Sequence, residues 1–254
     1  MTDDSWIGLS SEGGRVKRPP PGDFTRERRR AERSDEAYAR YRGLLEARVR
    51  AKQDELIEDG LLEEALRGID EELATIVVVT DQEELDAAAA APGRPILCYI
   101  ASGERVELNL GPDAPVVVLI GAGEAVAEIV GAPTRPAKLY IGGEIRASVR
   151  GSGRVVAEDD ARVELDGVSA YGEGRAHLVA RDVTFLNLSD ESTAEVNDAA
   201  RLYLNHNASA DVTGTIREEV HLDTDCRLTI RGAVVAERWL RAGADGELRP
   251  VAPI

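Results

Sequence analysis

An eight-residue repeat constrains this chain more than any other feature. Short apolar triplets recur along its second half: "VVA" at 155–157, "VEL" at 163–165, "LVA" at 178–180, "LNL" at 186–188, "AEV" at 194–196, "LYL" at 202–204 and "ADV" at 210–212. After a two-residue insertion come "VHL" at 220–222 and "LTI" at 228–230, while "AYG" at 170–172 fits with a one-residue slip. A polar corner follows each triplet, as in Asp159-Asp160, Asp166-Gly167, Ser189-Asp190 and Asn197-Asp198. A small residue often stands two places before, as Ala161, Ala176, Ala200, Ala208 and Cys226 do. Alternation within a triplet means a short strand with one buried face. Asp, Asn and Gly at fixed offsets mean a turn, because they tolerate left-handed backbone and bond to it locally. Strand, corner, strand, corner gives flat-sided coils that cannot bury their apolar face alone, so the stack is the domain.

The predicted fold is therefore mainly β: a single-stranded β-solenoid (parallel β-helix) with a helical N-terminal region and an extended N-terminal arm. An intertwined trimeric β-helix is the alternative that an octad permits. The expected core comprises Val155, Val163, Leu165, Leu178, Leu186, Leu188, Val196, Leu202, Leu204, Val212, Leu222, Leu228 and Ile230. Tyr203 and Glu195, in the same register, should point outward.

The remainder of the chain supplies ends for this stack. Residues 1–24, with "SSEGGRVKRPPPGDF", read as an extended arm, since three prolines oppose a helix. Residues 25–74 form a helical anchor or oligomerisation region. Tyr38, Tyr41, Leu45, Val49 and Leu56 fall on one face of a helix capped by Asp23 or Thr25. Gly60 ends it, and Leu62, Leu66, Ile69 and Leu73 mark a second helix. Both either pack on their own chain or self-associate as a collar. Residues 75–140 hold a strand, a helix and the first coils. "TDQEELDAAAAAPG" reads as a helix with a capping box from Thr80 to Glu83, placed to plug the first coil, where backbone groups and apolar side chains would otherwise lie bare. Residues 141–236 are the octad solenoid. Residues 237–254 form a C-terminal cap, with Trp239 and Leu240 to cover the far end.

One stretch competes with this reading. "VVVLIGAGEAVAEIVGA" opens like a dinucleotide-binding unit, and Glu144 follows Gly123 at the distance of a ribose-binding acid. Val126, however, stands where the fingerprint needs Gly or Ala. The seven residues Glu124 to Val130 are too few for a crossover helix. The stretch reads better as a solenoid strand ending in a corner, and no NAD or FAD is expected.

Nor do other residues assemble a catalytic or metal motif. His177 and His221 should face outward and His206 sits in a corner, with no Cys or carboxylate at ligand spacing. The carboxylates fall at corners, the place of a solvated turn ladder; the Gly-Gly-x-Gly-x-Asp pattern of calcium-binding coils does not occur. Cys98 and Cys226 read as buried free thiols. "NLS" at 187–189 and "NAS" at 207–209 match glycosylation sequons, but the opening "MTDDSWIGLS" is acidic and has no apolar run, so no secretion signal is expected. Aromatics make up only 4%, so the core must come from Val, Ala, Leu and Ile. Charge is divided unevenly. Residues 1–50 hold 12 Lys/Arg against 9 Asp/Glu, a net of +3; the other 204 hold 19 against 38, a net of −19. An acidic body disfavours nucleic acid, and no run nears the ~20 apolar residues of a membrane span.

The octads "DDARVELD", "GRAHLVAR" and "NASADVTG" resemble the eight-residue repeats of bacterial and phage β-solenoid proteins, whose architecture is shared by bactofilin-like cytoskeletal polymers. The resemblance is architectural. It implies a stack of coils and carries over no site residue. The long helical region departs from the short tails of bactofilins. The expectation is a non-enzymatic structural protein of a larger assembly, foremost a phage-like virion component such as a capsid decoration or fibre protein. A bactofilin-like scaffold and a carbohydrate-active β-helix enzyme are the alternatives. Protein partners, either further copies or a capsid-like surface, should be met through the arm and helices, with a homo-oligomer such as a trimer expected. The candidate anchors are Trp6, Ile7, Arg15, Lys17 and Arg18, because Trp and Arg most often carry interface energy. The expected location is a virion or the bacterial cytoplasm.

Overall fold

A computed structural model describes residues 22–51, 53–91, 93–131, 136–234, 236–242 and 248–250. Helices α1 (Gly22–Ala51), α2 (Gln53–Glu58) and α3 (Leu62–Thr75) come first, then strand β1 (Val77–Val79) and helix α4 (Gln82–Ala90). The first coils are built from β2 (Ile96–Ile100), β3 (Arg105–Leu110), β4 (Val117–Gly121), β5 (Glu124–Ile129), β6 (Lys138–Ile141) and β7 (Arg146–Gly151). The octads supply β8 (Arg154–Ala157), β9 (Arg162–Asp166), β10 (Ser169–Gly172), β11 (His177–Arg181), β12 (Val183–Leu188), β13 (Thr193–Leu204) and β14 (Ser209–Leu222). The chain closes with β15 (Arg227–Ile230), β16 (Ala233–Val234), β17 (Arg238–Ala242) and β18 (Leu248–Pro250).

The strands wind into one parallel β-solenoid of about nine turns. One face is the ladder β1, β2, β4, β6, β8, β10, β12, continued by the ends of β13 and β14 and by β17. The opposite face is β3, β5, β7, β9, β11, then the starts of β13 and β14, then β15. Leu178 pairs with Ala194 and Leu186 with Leu202, each sixteen positions on. Two octads therefore make one turn, and a single chain closes each coil.

The expected register holds. Val155, Val163, Leu165, Leu178, Leu186, Leu188, Val196, Leu202, Leu204, Val212 and Leu222 are buried, while Tyr203 and Glu195 face out. The inserted pair is absorbed as register shifts between Val196 and Asp198 and between Ala199 and Arg201. Ala199, not Ala200, turns inward because it stacks in register on Val183, the inward residue at the same corner of the coil before. Leu228, Ile230 and Cys226 are only half-buried. They belong to the last rung of their ladder among the described residues, so no further coil covers them.

The helices lie on their own chain. Ala37, Tyr41 and Leu45 of α1 and Ile69 and Leu73 of α3 bury against Leu97, Val118 and Ile120, which point out of the solenoid. Every residue of β4 is consequently buried, alternate ones on opposite faces. Tyr38 donates to the Leu73 carbonyl and Tyr41 to Glu72, which holds the α1–α3 pair together. α1 begins at Gly22, so Asp23 and Thr25 lie inside its first turns and do not cap it. Gly60 stops α2 as expected, at φ +70°. The Leu61 and Gly60 amides bond back to Leu56 and Ile57, the left-handed closure that glycine permits.

α4 plugs the first coil through Leu85, which is fully buried. Its cap is one residue later than the sequence suggested. The Asp81 side chain accepts the Glu84 amide at 3.0 Å, and Glu84 reaches back to the Thr80 amide at 3.0 Å. Asp81 has the extended backbone that a cap requires, at φ −147°. Gln82 pins the plug sideways by two bonds with the Glu107 backbone, at 2.7 and 2.9 Å. At the far end β18 pairs antiparallel with β17, and Trp239 turns into the core. Leu240 does not cover that end; it pairs with His221 and continues the outer face.

Candidate interaction surface

The glycines of the dinucleotide-like stretch answer to coil stacking. Gly121 lies at φ +128°, and a Cβ there would stand 2.1 Å from the Ile100 carbonyl oxygen. Gly151 repeats the situation at φ +119°, with the Ile129 oxygen 2.0 Å away. The second glycine of each pair, Gly123 or Gly153, is blocked by the Ile100 or Ile129 side chain of the preceding coil. Glu124–Ile129 is a strand, and the Glu144 amide bonds the Gly121 carbonyl at 2.8 Å. Two Gly-x-Gly corners thus serve the same close backbone approach.

The corner carboxylates are likewise structural. Asp159, Asp190 and Asp223 accept the amides of Gly143, Gly174 and His206, each from the preceding coil, at 3.2, 3.3 and 3.3 Å. Asp159, Gly174, Asp190 and His206 all adopt φ between 54° and 64°, the left-handed backbone of a stacked turn. Bonds from the Thr224 and His206 amides hold the Asp223 carboxyl below its ordinary range. Two of the histidines meet carboxylates of a neighbouring coil. His206 Nδ1 stands 3.6 Å from Asp190, and His177 Nε2 stands 4.0 Å from Glu195. These partners are sixteen or eighteen positions distant, a spacing that only the two-octad turn makes adjacent. Gly174, Arg175, Asp190, Glu191, His206 and Asn207 line an open depression over this corner. Among the described residues, no three His, Cys, Asp or Glu side chains group to hold a metal. Burial pushes the Cys98 thiol up to about 12, which removes it as a nucleophile. Cys226 is also free, and its thiol donates to the His206 carbonyl at 3.0 Å.

The most distinctive surface is the outer side of the first ladder. Tyr171, Phe185, Tyr203 and His221 run up it in a zigzag, with successive ring centroids 5.5, 5.0 and 5.2 Å apart. The Arg154 guanidinium lies 5.4 Å over Tyr171 and that of Arg201 5.9 Å over Phe185, so cations cover ring faces. Asn205 donates to Asn187 at 2.7 Å beside them. All six tyrosines of the chain lie on this face or on the helix packed against it. The low aromatic content concealed this concentration. Its signal was the outward residue of alternate octads, which needs the sixteen-residue turn to be read.

The same face is covered lower down and open higher up. α1 starts at the plugged end, where Arg30 pairs with Glu84 and Arg33 with Glu104 at 2.6 Å. It finishes beside β6 and β8, with Arg48 paired to Glu158 and lying 5.9 Å over the Tyr140 ring. From β8 onward no described helix covers the ladder. Past α1, the α2–α3 tip leaves Ile57, Leu61 and Leu66 exposed at 53%, 45% and 46%. Leu66 therefore departs from the expected buried face of α3. Trp6, Ile7, Arg15, Lys17 and Arg18 lie outside the described residues.

No helix among the described residues is long and apolar enough to cross a membrane. No protein-family model matches the chain, and the comparisons with curated proteins and with solved structures give no match either.

Proposed function

We propose that this protein is a non-enzymatic structural component of a larger assembly, held at one end by its N-terminal arm and projecting its solenoid. A phage-like virion component, such as a capsid decoration or fibre protein, is the setting that suits this design. The observation that carries the reading is the position of α1. It begins at the plugged end, tied to Glu84 and Glu104, so the chain enters α1 at the base of the rod. Trp6, Ile7, Arg15, Lys17 and Arg18 of the arm are suited to an interface, and its prolines lower the entropy lost on docking. Deleting residues 1–21 is expected to leave the melting temperature within a degree or two, because the core of the coils and helices is built from residues after Gly22. The same deletion should abolish incorporation into the parent particle, read as stoichiometry in purified assemblies. Normal incorporation would overturn the anchor.

The runner-up, a bactofilin-like scaffold, polymerises through bare coil ends. Here α4 stands over one end, and β18 pairs with the last strand at the other. Negative-stain images of the purified protein are expected to contain no filaments. Long end-to-end filaments would favour the scaffold.

A further inference from the structure

We propose that the aromatic ladder is a self-association surface, and that its occupant is the α2–α3 tip of a second copy of this chain. Three observations select that occupant. The first is continuity: over β1, β2, β4 and β6 this face already binds apolar side chains of α1 and of α3, the helix that the tip leads into, through Tyr41, Leu45, Ile69 and Leu73 against Leu97, Val118 and Ile120. Helix on sheet face is thus an interface that the sequence has built once, and the ladder extends it upward with no described helix on it.

The second is apolar surplus on both sides. Tyr171, Phe185, Tyr203 and His221 are half-buried on the ladder. Ile57, Leu61 and Leu66 are exposed on the tip, although large apolar side chains elsewhere among the described residues are almost all covered. The third is charge. The tip "QDELIEDGLLEEAL", residues 53–66, contains no cation between Lys52 and Arg67, and its Asp54, Glu58, Asp59, Glu63 and Glu64 are exposed. The outward column of the ladder carries Arg154, then Arg201 three rungs on and Arg238 two rungs further, against Glu219 between them and Glu218, which pairs with Arg201 at 3.3 Å. In an acidic body, an arginine stripe is the part of the surface that accepts an acidic tip rather than repelling it.

Placement favours reciprocity. α1 ends beside β8, so the tip that follows it and the ladder that starts at Arg154 are neighbours on one flank. A two-fold axis between two copies then seats each tip on the other's ladder. Using the contact twice brings a small patch towards the roughly 800 Å² per partner of a stable interface. This deepens the reading of the protein as an assembly component, and it is tested separately from the arm.

The experiment is sedimentation of the full chain across micromolar concentrations. The wild type is expected to be a dimer. Leu61→Asp on the tip and Arg201→Glu on the ladder should each weaken it at least tenfold, with the folded circular dichroism spectrum retained, since both residues are exposed. Mixing the two variants should give a heterodimer tighter than either homodimer, because one intact tip then meets one intact ladder. Deleting residues 1–21 should leave the dimer intact. A monomeric wild type overturns the proposal, as does a dimer that ignores both substitutions or a mixture with no gain. If the deletion abolishes the dimer while both variants keep it, the arm is the occupant and the tip is not.

Discussion

Leu204→Asp is expected to destroy the middle of the solenoid. Leu204 is fully buried between Leu188 of the coil before and Leu222 of the coil after, with which it pairs in register. The substitution removes about 2 kcal/mol of apolar burial and puts an unpaired carboxylate where no donor is in reach, a further cost of about 3–5 kcal/mol. The sum is comparable to the whole stability of many domains, on the order of 5–15 kcal/mol. Because each coil is stabilised only by its neighbours, the loss propagates along the stack. Hydrogen exchange should show β12, β13 and β14 unprotected while α4 and the first coils keep their protection. Protonation reduces the penalty, since burial raises the pKa of the new acid above its unfolded value. The variant should therefore recover part of its deficit, relative to wild type, as pH falls towards about 4. Tyr203→Asp, one residue away but facing out, should cost far less. Equal losses at both positions would mean that the register is wrong.

Gly121→Ala and Gly151→Ala should behave alike. Each places a Cβ about 2 Å from a backbone oxygen of the preceding coil, at a φ that L-residues rarely adopt. Backbone strain of this kind costs about 1–3 kcal/mol, and the clash adds about as much again through displaced coils. Thermal melting should fall by roughly 5–15 °C in both variants. Calorimetry should detect no saturable NAD or FAD binding by the wild type. Under a dinucleotide reading Gly121 alone would matter, and it would matter for the cofactor. Cofactor binding lost in Gly121→Ala but kept in Gly151→Ala would return the protein to the enzymes.

The helical plug, the stacked coils and the identity of the inward residues were written in local pattern. Alternation at Val163 and Leu165, or at Leu202 and Leu204, depends on nothing but the two-residue period of a strand, and the corner acids on the need for left-handed turns. The cap at Asp81 was missed by one residue because Thr80-x-x-Glu83 and Asp81-x-x-Glu84 are both possible boxes, and only the path of β1 into the helix chooses between them. Ala199 displaced Ala200 because the inward corner residue stands three places after a triplet's last inward residue, as Val183 does after Ala180, and only the stacking of that corner on the coil before reveals it.

What sequence alone determined, then, was which side of each strand is buried, since that follows from nearest-neighbour alternation. What tertiary structure decided was everything that depends on the number of residues per turn. Two octads per coil bring Tyr171, Phe185, Tyr203 and His221 onto one face and set His206 beside Asp190, while the longer first coils place Gly121 against Ile100, 21 positions away. The triplets repeat every eight residues whether a turn contains two of them or three. Only closure of the coil, which balances corner geometry against core volume, fixes which octads become neighbours.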